Sequence, residues 1–341
     1  MSNSVPKDQL EKLPFVQHIP DDGRIVSLQS YYDHETTDWH LWLPVRPGEL
    51  GRIAGGEVVT GSYYAVAPAD PSRDFELPLG TLLTMRVSFA PVLRQFGKLE
   101  SDVHRCAAVL EKYHLFSAMR GENSTDASLL VVSELEYLLM LLRSLYDTLQ
   151  GVVGVVASKL IHLNGTQRRV TRDLPSSFAG VALVGAQSRG LEEMESRWGI
   201  PDPLGRWYQY EAPFFREVRE LRDGISHHGR SLPTVYSVDW GFAIKPSEPP
   251  WNRFDEWPSE QLWDGRLGSL RSVFAGFMVH SLQACTRFAS VLESIVQLPP
   301  PLHDSLRLYV RSPFGNRLVR LDDTRIQPWE DLDGDSNMVG G

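Results

Sequence analysis

Cysteine is nearly absent: Cys106 and Cys285 are the only two among 341 residues. That excludes a disulfide-stapled scaffold and any zinc site built on paired cysteines. Both fall in helical-looking stretches and read as small core residues in a reducing compartment, with cytoplasm the expected location. The opening stretch, MSNSVPKDQLEKLPF, lacks the basic patch and apolar run of a secretory signal. Long uncharged runs are missing too. The most apolar stretch, around residues 127–163, is interrupted by Glu134, Glu136, Arg143, Asp147 and Lys159, short of the roughly 20 residues a membrane span requires. An excess of positive charge is also lacking. Lys and Arg total 34 against 43 Asp and Glu, a formal net charge of −9. General nucleic-acid binders rest on cations neutralising phosphates, so only a local basic patch would serve here.

Several chemistries are excluded by missing motifs. There is no Gly-rich phosphate loop and no dinucleotide fingerprint. A nucleophile elbow fails because Gly224-Ile225-Ser226 runs into His228 where glycine is required. No zinc-binding His-Glu-x-x-His occurs. Asp331, Asp333 and Asp335 suggest a calcium loop, but Ser336 stands where its glycine belongs. No metal and no cofactor is expected.

What the chain does contain is helix. Residues 1–88 read as short strands and turns, at Arg24–Ser30, Asp38–Val45 and Glu57–Val66. Trp39, Trp42, Tyr63 and Tyr64 are concentrated there, either as the core of a small β module or as a recognition surface for a protein partner. From Ser88 to Met119, apolar residues recur every three or four positions. Ala127–Leu163 is apolar almost all round, as a central bundle helix would be, yet Ser133, Glu136, Arg143, Asp147 and Gln150 fall near one stripe. Residues 179–198 suggest a weaker helix, 234–245 a strand or hairpin, and Gln261–Leu298 a strong helix containing His280, read as a satisfied core histidine. Leu306–Val310 and Arg317–Leu321 read as a hairpin. The expected fold is mainly α, a helical bundle with small β elements at both ends, α+β in all. Its parts are a β-rich module over 1–88, a helical domain over 89–298 with a strand insertion at 234–258, and a hairpin with an acidic tail over 299–341.

The chain is organised around residues 213–230, PFFREVRELRDGISHHGR. Pro213 suits the first turn of a helix, and Phe214, Phe215, Val218, Leu221 and Ile225 give that helix an apolar face. Arg222 and His227 lie near its end. A guanidinium offers a fixed fork of donors for a phosphate, and imidazole exchanges protons near neutral pH. Five positions on an α-helix separate two residues by about 140° and 7.5 Å of rise. The pair therefore converges only through the reach of Arg222, a bend at Gly224, or a second copy of the chain.

Arg222-Asp223-Gly224-Ile225-Ser226-His227 resembles the Arg-polar-x-x-x-His signature of HEPN domains, with the resemblance covering roughly residues 125–298. It implies an α-helical bundle, often dimeric, and in many members a metal-independent endoribonuclease of a toxin or antiviral defence system. On that resemblance His227 is the general acid/base, Arg222 binds the scissile phosphate and Asp223, where the family most often has Asn, positions Arg222. His228, Ser226 and Asp147 are auxiliary. RNA is the expected partner, gripped further by Arg216, Arg219 and Arg230, and a homodimer is the expected assembly. The alternative is a non-catalytic HEPN-like scaffold that dimerises and presents the N-terminal aromatics to a protein or small ligand. An open groove lined by the pair favours catalysis, whereas sealing of both side chains in intramolecular contacts favours the scaffold.

Overall fold

The computed structural model describes residues 4–6, 8, 29–33, 38–46, 49–57, 61–87, 90–119, 124–156, 174–228, 234–254, 256–301 and 305–329, with the backbone alone for 29–57 and 224–228 among others. The molecule is mainly α with small antiparallel sheets, as expected. Three long helices make its centre: α3 (Ser124–Val156), α6 (Asp202–His228) and α7 (Leu270–Ile295), which contact one another pairwise, with α2 (Ala90–Ala118) lying along α3. The near-continuous apolar surface of α3 has a simple cause. Leu135, Leu138, Leu142, Leu145 and Leu149 are all buried, because α2, α6 and α7 cover different faces of it. Aromatics fill the α3/α6/α7 junction, where Phe178 packs against Tyr146, Trp207, Tyr208 and Phe215. Each such side chain contributes about 1.5–3 kcal/mol by leaving water. Among the described residues, no helix is long and apolar enough to cross a membrane.

Strands β1 (Ser4–Pro6), β2 (Gln29–Asp33), β3 (Asp38–Arg46) and β4 (Glu49–Glu57) form one antiparallel sheet in the order β1-β4-β3-β2. A second sheet joins the two ends of the chain. Strand β12 (Arg307–Arg311) lies between β5 (Gly61–Ala65) and β6 (Asp74–Glu76), antiparallel to both. A buried carboxylate fastens it. Asp74 accepts from the Tyr63 hydroxyl at 2.5 Å, from Arg311 Nη2 at 2.8 Å and from the Asp70 amide at 2.8 Å. Tyr63 is thereby a core residue, stacked on Tyr309, not part of a recognition surface. The side chains of Trp39 and Trp42 lie outside the described residues.

Five sequence expectations are corrected. Residues 78–86, read as part of a strand-and-turn module, form helix α1 (Pro78–Arg86), begun by proline at its first position. The segment 179–198 is not one helix but α4 (Phe178–Ala182), a β7–β8 hairpin (Leu183–Val184, Gln187–Ser188) and α5 (Leu191–Trp198). The buried guanidinium of Arg189 holds this break together by donating to the carbonyls of Gly180, Val181 and Leu183. The C-terminal hairpin keeps only its first strand. Beyond β12 the chain turns into α8 (Gly315–Val319) and α9 (Leu321–Ile326), and the partner of β12 comes from the N-terminal strands. Pro213 lies in the interior of α6, not in its first turn. An interior proline costs about 3 kcal/mol, an amount exceeded by burial of Trp207, Tyr208, Phe215 and Val218 on the same helix. Finally, α6 continues as helix through Gly224 to His228, so the glycine does not end it. The hairpin expected within 234–245 is present as β9 (Tyr236–Val238) and β10 (Gly241–Ile244), joined on its other edge by β11 (Gly268–Ser269).

At Gly315, a Cβ would fall inside the van der Waals envelope of the Arg73 backbone carbonyl oxygen. Backbone cannot rotate away as a side-chain tip can, so Gly315→Ala is expected to cost about 1–3 kcal/mol. Urea denaturation checks it, and an unchanged midpoint would contradict the close approach.

Candidate functional site

Helix α6 presents an apolar face to the core through Leu204, Tyr208, Ala212, Phe215, Val218 and Leu221. Arg222 is the next residue round the helix. Its side chain is 22% exposed and reaches a groove of about 1240 Å³ between α2 and α3. That groove is strongly cationic for so acidic a chain. Arg94, Lys98 and Arg105 line it from α2, Arg143 from α3 and Arg222 from α6, while Asp102 and Asp147 are its acids.

Both acids are committed to neighbours. Asp102 is buried, accepting from Ser144 Oγ at 2.9 Å and Arg105 Nη1 at 3.3 Å. Burial raises its pKa, and the Ser144 hydrogen bond and Arg105 charge pull it partly back. Asp147 accepts from the Phe178 amide at 2.9 Å, which fixes the start of α4, and lies 3.8 Å from Arg143 Nε. Burial again raises its pKa against the lowering effect of that amide. Of the polar stripe on α3, Arg143, Asp147 and Gln150 share the groove with Arg222. Ser133 instead bonds back to the Leu129 carbonyl.

The other motif residues separate into three groups. Asp223 is paired with Arg222 and also accepts from Arg219 Nε at 3.3 Å. Arg222 Nε is buried with no hydrogen-bond partner among the described residues. Arg216 and Arg219, expected on RNA, do not line the groove: Arg216 donates to the Ala186 carbonyl at 3.0 Å and Arg219 faces Asp223. Their neighbour Glu220 takes an ion pair from Arg253 at 2.5 Å. Ser226, His227 and His228 continue the helical backbone of α6, and their side chains lie outside the described residues, as does Arg230. The basic cluster Arg168, Arg169 and Arg172 lies outside them as well.

With α6 helical to His228, Arg222 and His227 leave the helix about 140° apart. One chain therefore does not set them side by side through its backbone. The half of the arrangement described here is a guanidinium at the edge of an open, cation-lined groove, matched to a phosphate but already neutralised in part by Asp223.

Two features escaped the sequence. The first is the cationic face of α2, where Arg94, Lys98 and Arg105 follow helical spacing. The second is Glu211, fully buried in α6. Its carboxylate accepts from Tyr146 at 2.9 Å and Arg287 Nε at 2.8 Å, and its Oε2 lies 3.0 Å from His280 Nε2. Burial alone would raise the Glu211 pKa, but hydrogen bonds from His280 and Arg287 outweigh it and hold the carboxyl below the ordinary glutamate range. His280, stacked on Phe214 at 3.9 Å, is thus satisfied as expected, but it is half-buried at the edge of the core, with its side chain 30% exposed. Cys106 and Cys285 are buried and free, and burial pushes the Cys106 thiol up to about 12, far from a nucleophile. Among the described residues, no group of three or more His, Cys, Asp and Glu is placed to hold a metal ion. Compared with protein-family models, with curated proteins and with solved structures, the chain matches none.

Proposed function

We propose that the chain is a metal-independent endoribonuclease of HEPN type, acting as a dimer in which Arg222 of one copy meets His227 of the other. The observation that carries this reading is the position of Arg222 on the rim of an open groove rich in guanidinium and ammonium groups. Arg222 would hold the non-bridging oxygens of the scissile phosphate and stabilise the charge that develops there. The attacking 2′-hydroxyl forms a new bond to phosphorus as the bond to the 5′ oxygen breaks. His227 either takes the 2′-hydroxyl proton, with water protonating the departing 5′ oxygen, or protonates that oxygen while water takes the 2′-hydroxyl proton. The products are a 2′,3′-cyclic phosphate and a 5′-hydroxyl. The test is cleavage of RNA by the purified protein in EDTA; intact RNA would remove the reading.

One observation favours a non-catalytic scaffold instead: Asp223 occupies both Arg222 and Arg219. Asp223→Asn separates the two readings, since it keeps a hydrogen-bond acceptor and removes the opposing charge. For a nuclease, KM for RNA should fall several-fold with kcat retained. For a scaffold, neither protein cleaves.

A further inference from the structure

We infer that α2 carries a track for the sugar–phosphate backbone of single-stranded RNA, leading along the groove to Arg222. This rests on the reading of the chain as an RNA-cleaving protein, and names the part of it that grips the substrate.

Three observations point the same way. Arg94, Lys98 and Arg105 are exposed on one face of α2, and their eleven-residue span covers about 16 Å of helix axis, long enough for several successive phosphates. Among the described residues neither Arg94 nor Lys98 is held in an ion pair, whereas the two groove acids are bound by Ser144, Arg105, the Phe178 amide and Arg143. Among the described lining residues five cations therefore face two acids, in a chain of net charge −9, an arrangement that concentrates a polyanion by release of its counterions.

The shape narrows the partner. At about 1240 Å³ the groove exceeds the roughly 300–1,000 Å³ typical of a site for one small molecule. Its lining includes no aromatic side chain among the described residues, so it has no platform on which bases stack. Recognition falls to phosphates and carries no sequence preference. On the lining, Gly97 and Gly154 leave open space where a side chain would stand, letting a strand approach the helix backbones.

The decisive probe is a 2′-O-methylated RNA 12-mer, which lacks the attacking hydroxyl and so reports binding whether or not the protein cleaves. Fluorescence anisotropy should show Kd rising about tenfold for Arg94→Glu and for Lys98→Glu, with the salt slope of log K smaller by about 0.7 for each lost phosphate contact. Gly97→Glu should weaken binding comparably, although it deletes no side chain and enters open space; its melting temperature confirms the fold. The exposed Arg266→Glu, away from the groove, should leave Kd unchanged. Equal Kd for wild type and Gly97→Glu, or equal displacement by an oligoglutamate of the same charge, would overturn the track. Binding that follows these charges in a protein unable to cut natural RNA would fail the nuclease reading alone.

Discussion

Replacing Glu211 with alanine should lower stability by about 3–5 kcal/mol. Glu211 has no exposed surface, yet three groups from two other helices converge on its carboxylate: Tyr146 of α3, and His280 and Arg287 of α7. Alanine strips all three of their common acceptor and leaves a buried hydroxyl and a guanidinium without it. The Arg287 guanidinium also lies over the Tyr210 ring, 4.9 Å from its centroid, so it is not free to swing wholly into water. Thermal unfolding should show a fall in Tm of about 4–7 °C. A change below about 1 kcal/mol would mean that the network is as weak as an exposed ion pair.

The pH dependence has a definite sign. The folded-state pKa of Glu211 lies below its ordinary value, so the carboxylate contributes stability above about pH 4.3, the unfolded value. That contribution is lost as pH falls through the lower folded value. The gap in stability between wild type and Glu211→Gln should be complete at pH 7 and shrink in acid. A gap that widened in acid would contradict the assignment.

The second large effect concerns the motif. His227→Ala should reduce RNA cleavage by about 10²–10⁴-fold, the range associated with a positioned general acid or base, without altering the melting temperature. Arg222→Ala should reduce it as well. The more telling result is their mixture. If each site draws Arg222 from one copy and His227 from its partner, a heterodimer of the two inactive variants holds one intact site and one doubly damaged site. Equal mixing should then restore about a quarter of wild-type activity. A mixture as inactive as its components would place both residues of each site on one chain, and Arg222 would have to span the 140° by its own reach.

How much of this could be read beforehand depended on how local each signal was. The long helices were legible because apolar residues repeat at helical spacing: α2 and α3 lie where Val92 through Tyr113 and Val131 through Val153 said they would, whereas α7, expected from Gln261, begins only at Leu270 because Gly268–Ser269 pairs as a strand with β10. Short elements were not. Arg189, which satisfies three carbonyls around β7, turns 179–198 from one helix into a helix, hairpin and helix, and nothing in the periodicity of that stretch announces it. Likewise, Arg317–Leu321 has strand-like residues, but Gly315 packed against the Arg73 backbone starts a helix there instead. Pro213 misled because a proline is a sound start signal, and only burial of the residues around it explains why α6 had already begun at Asp202.

For the site, the motif singled out Arg222, and the stripe on α3 that holds Asp147 lines the same groove in part. Charge on a helix says nothing of intramolecular partners, such as the Ala186 carbonyl for Arg216 and Asp223 for Arg219. Long-range partners were beyond it altogether. Glu211 meets its nearest partner 65 residues away in sequence, and the groove takes its cations from three helices that no local window contains.

The account is tested most directly by incubating the purified protein in EDTA with an RNA oligonucleotide and with DNA of the same sequence. It predicts RNA fragments ending in 2′,3′-cyclic phosphate and 5′-hydroxyl, with the DNA intact for want of a 2′-hydroxyl. Untouched RNA, or RNA and DNA cut alike, would contradict it.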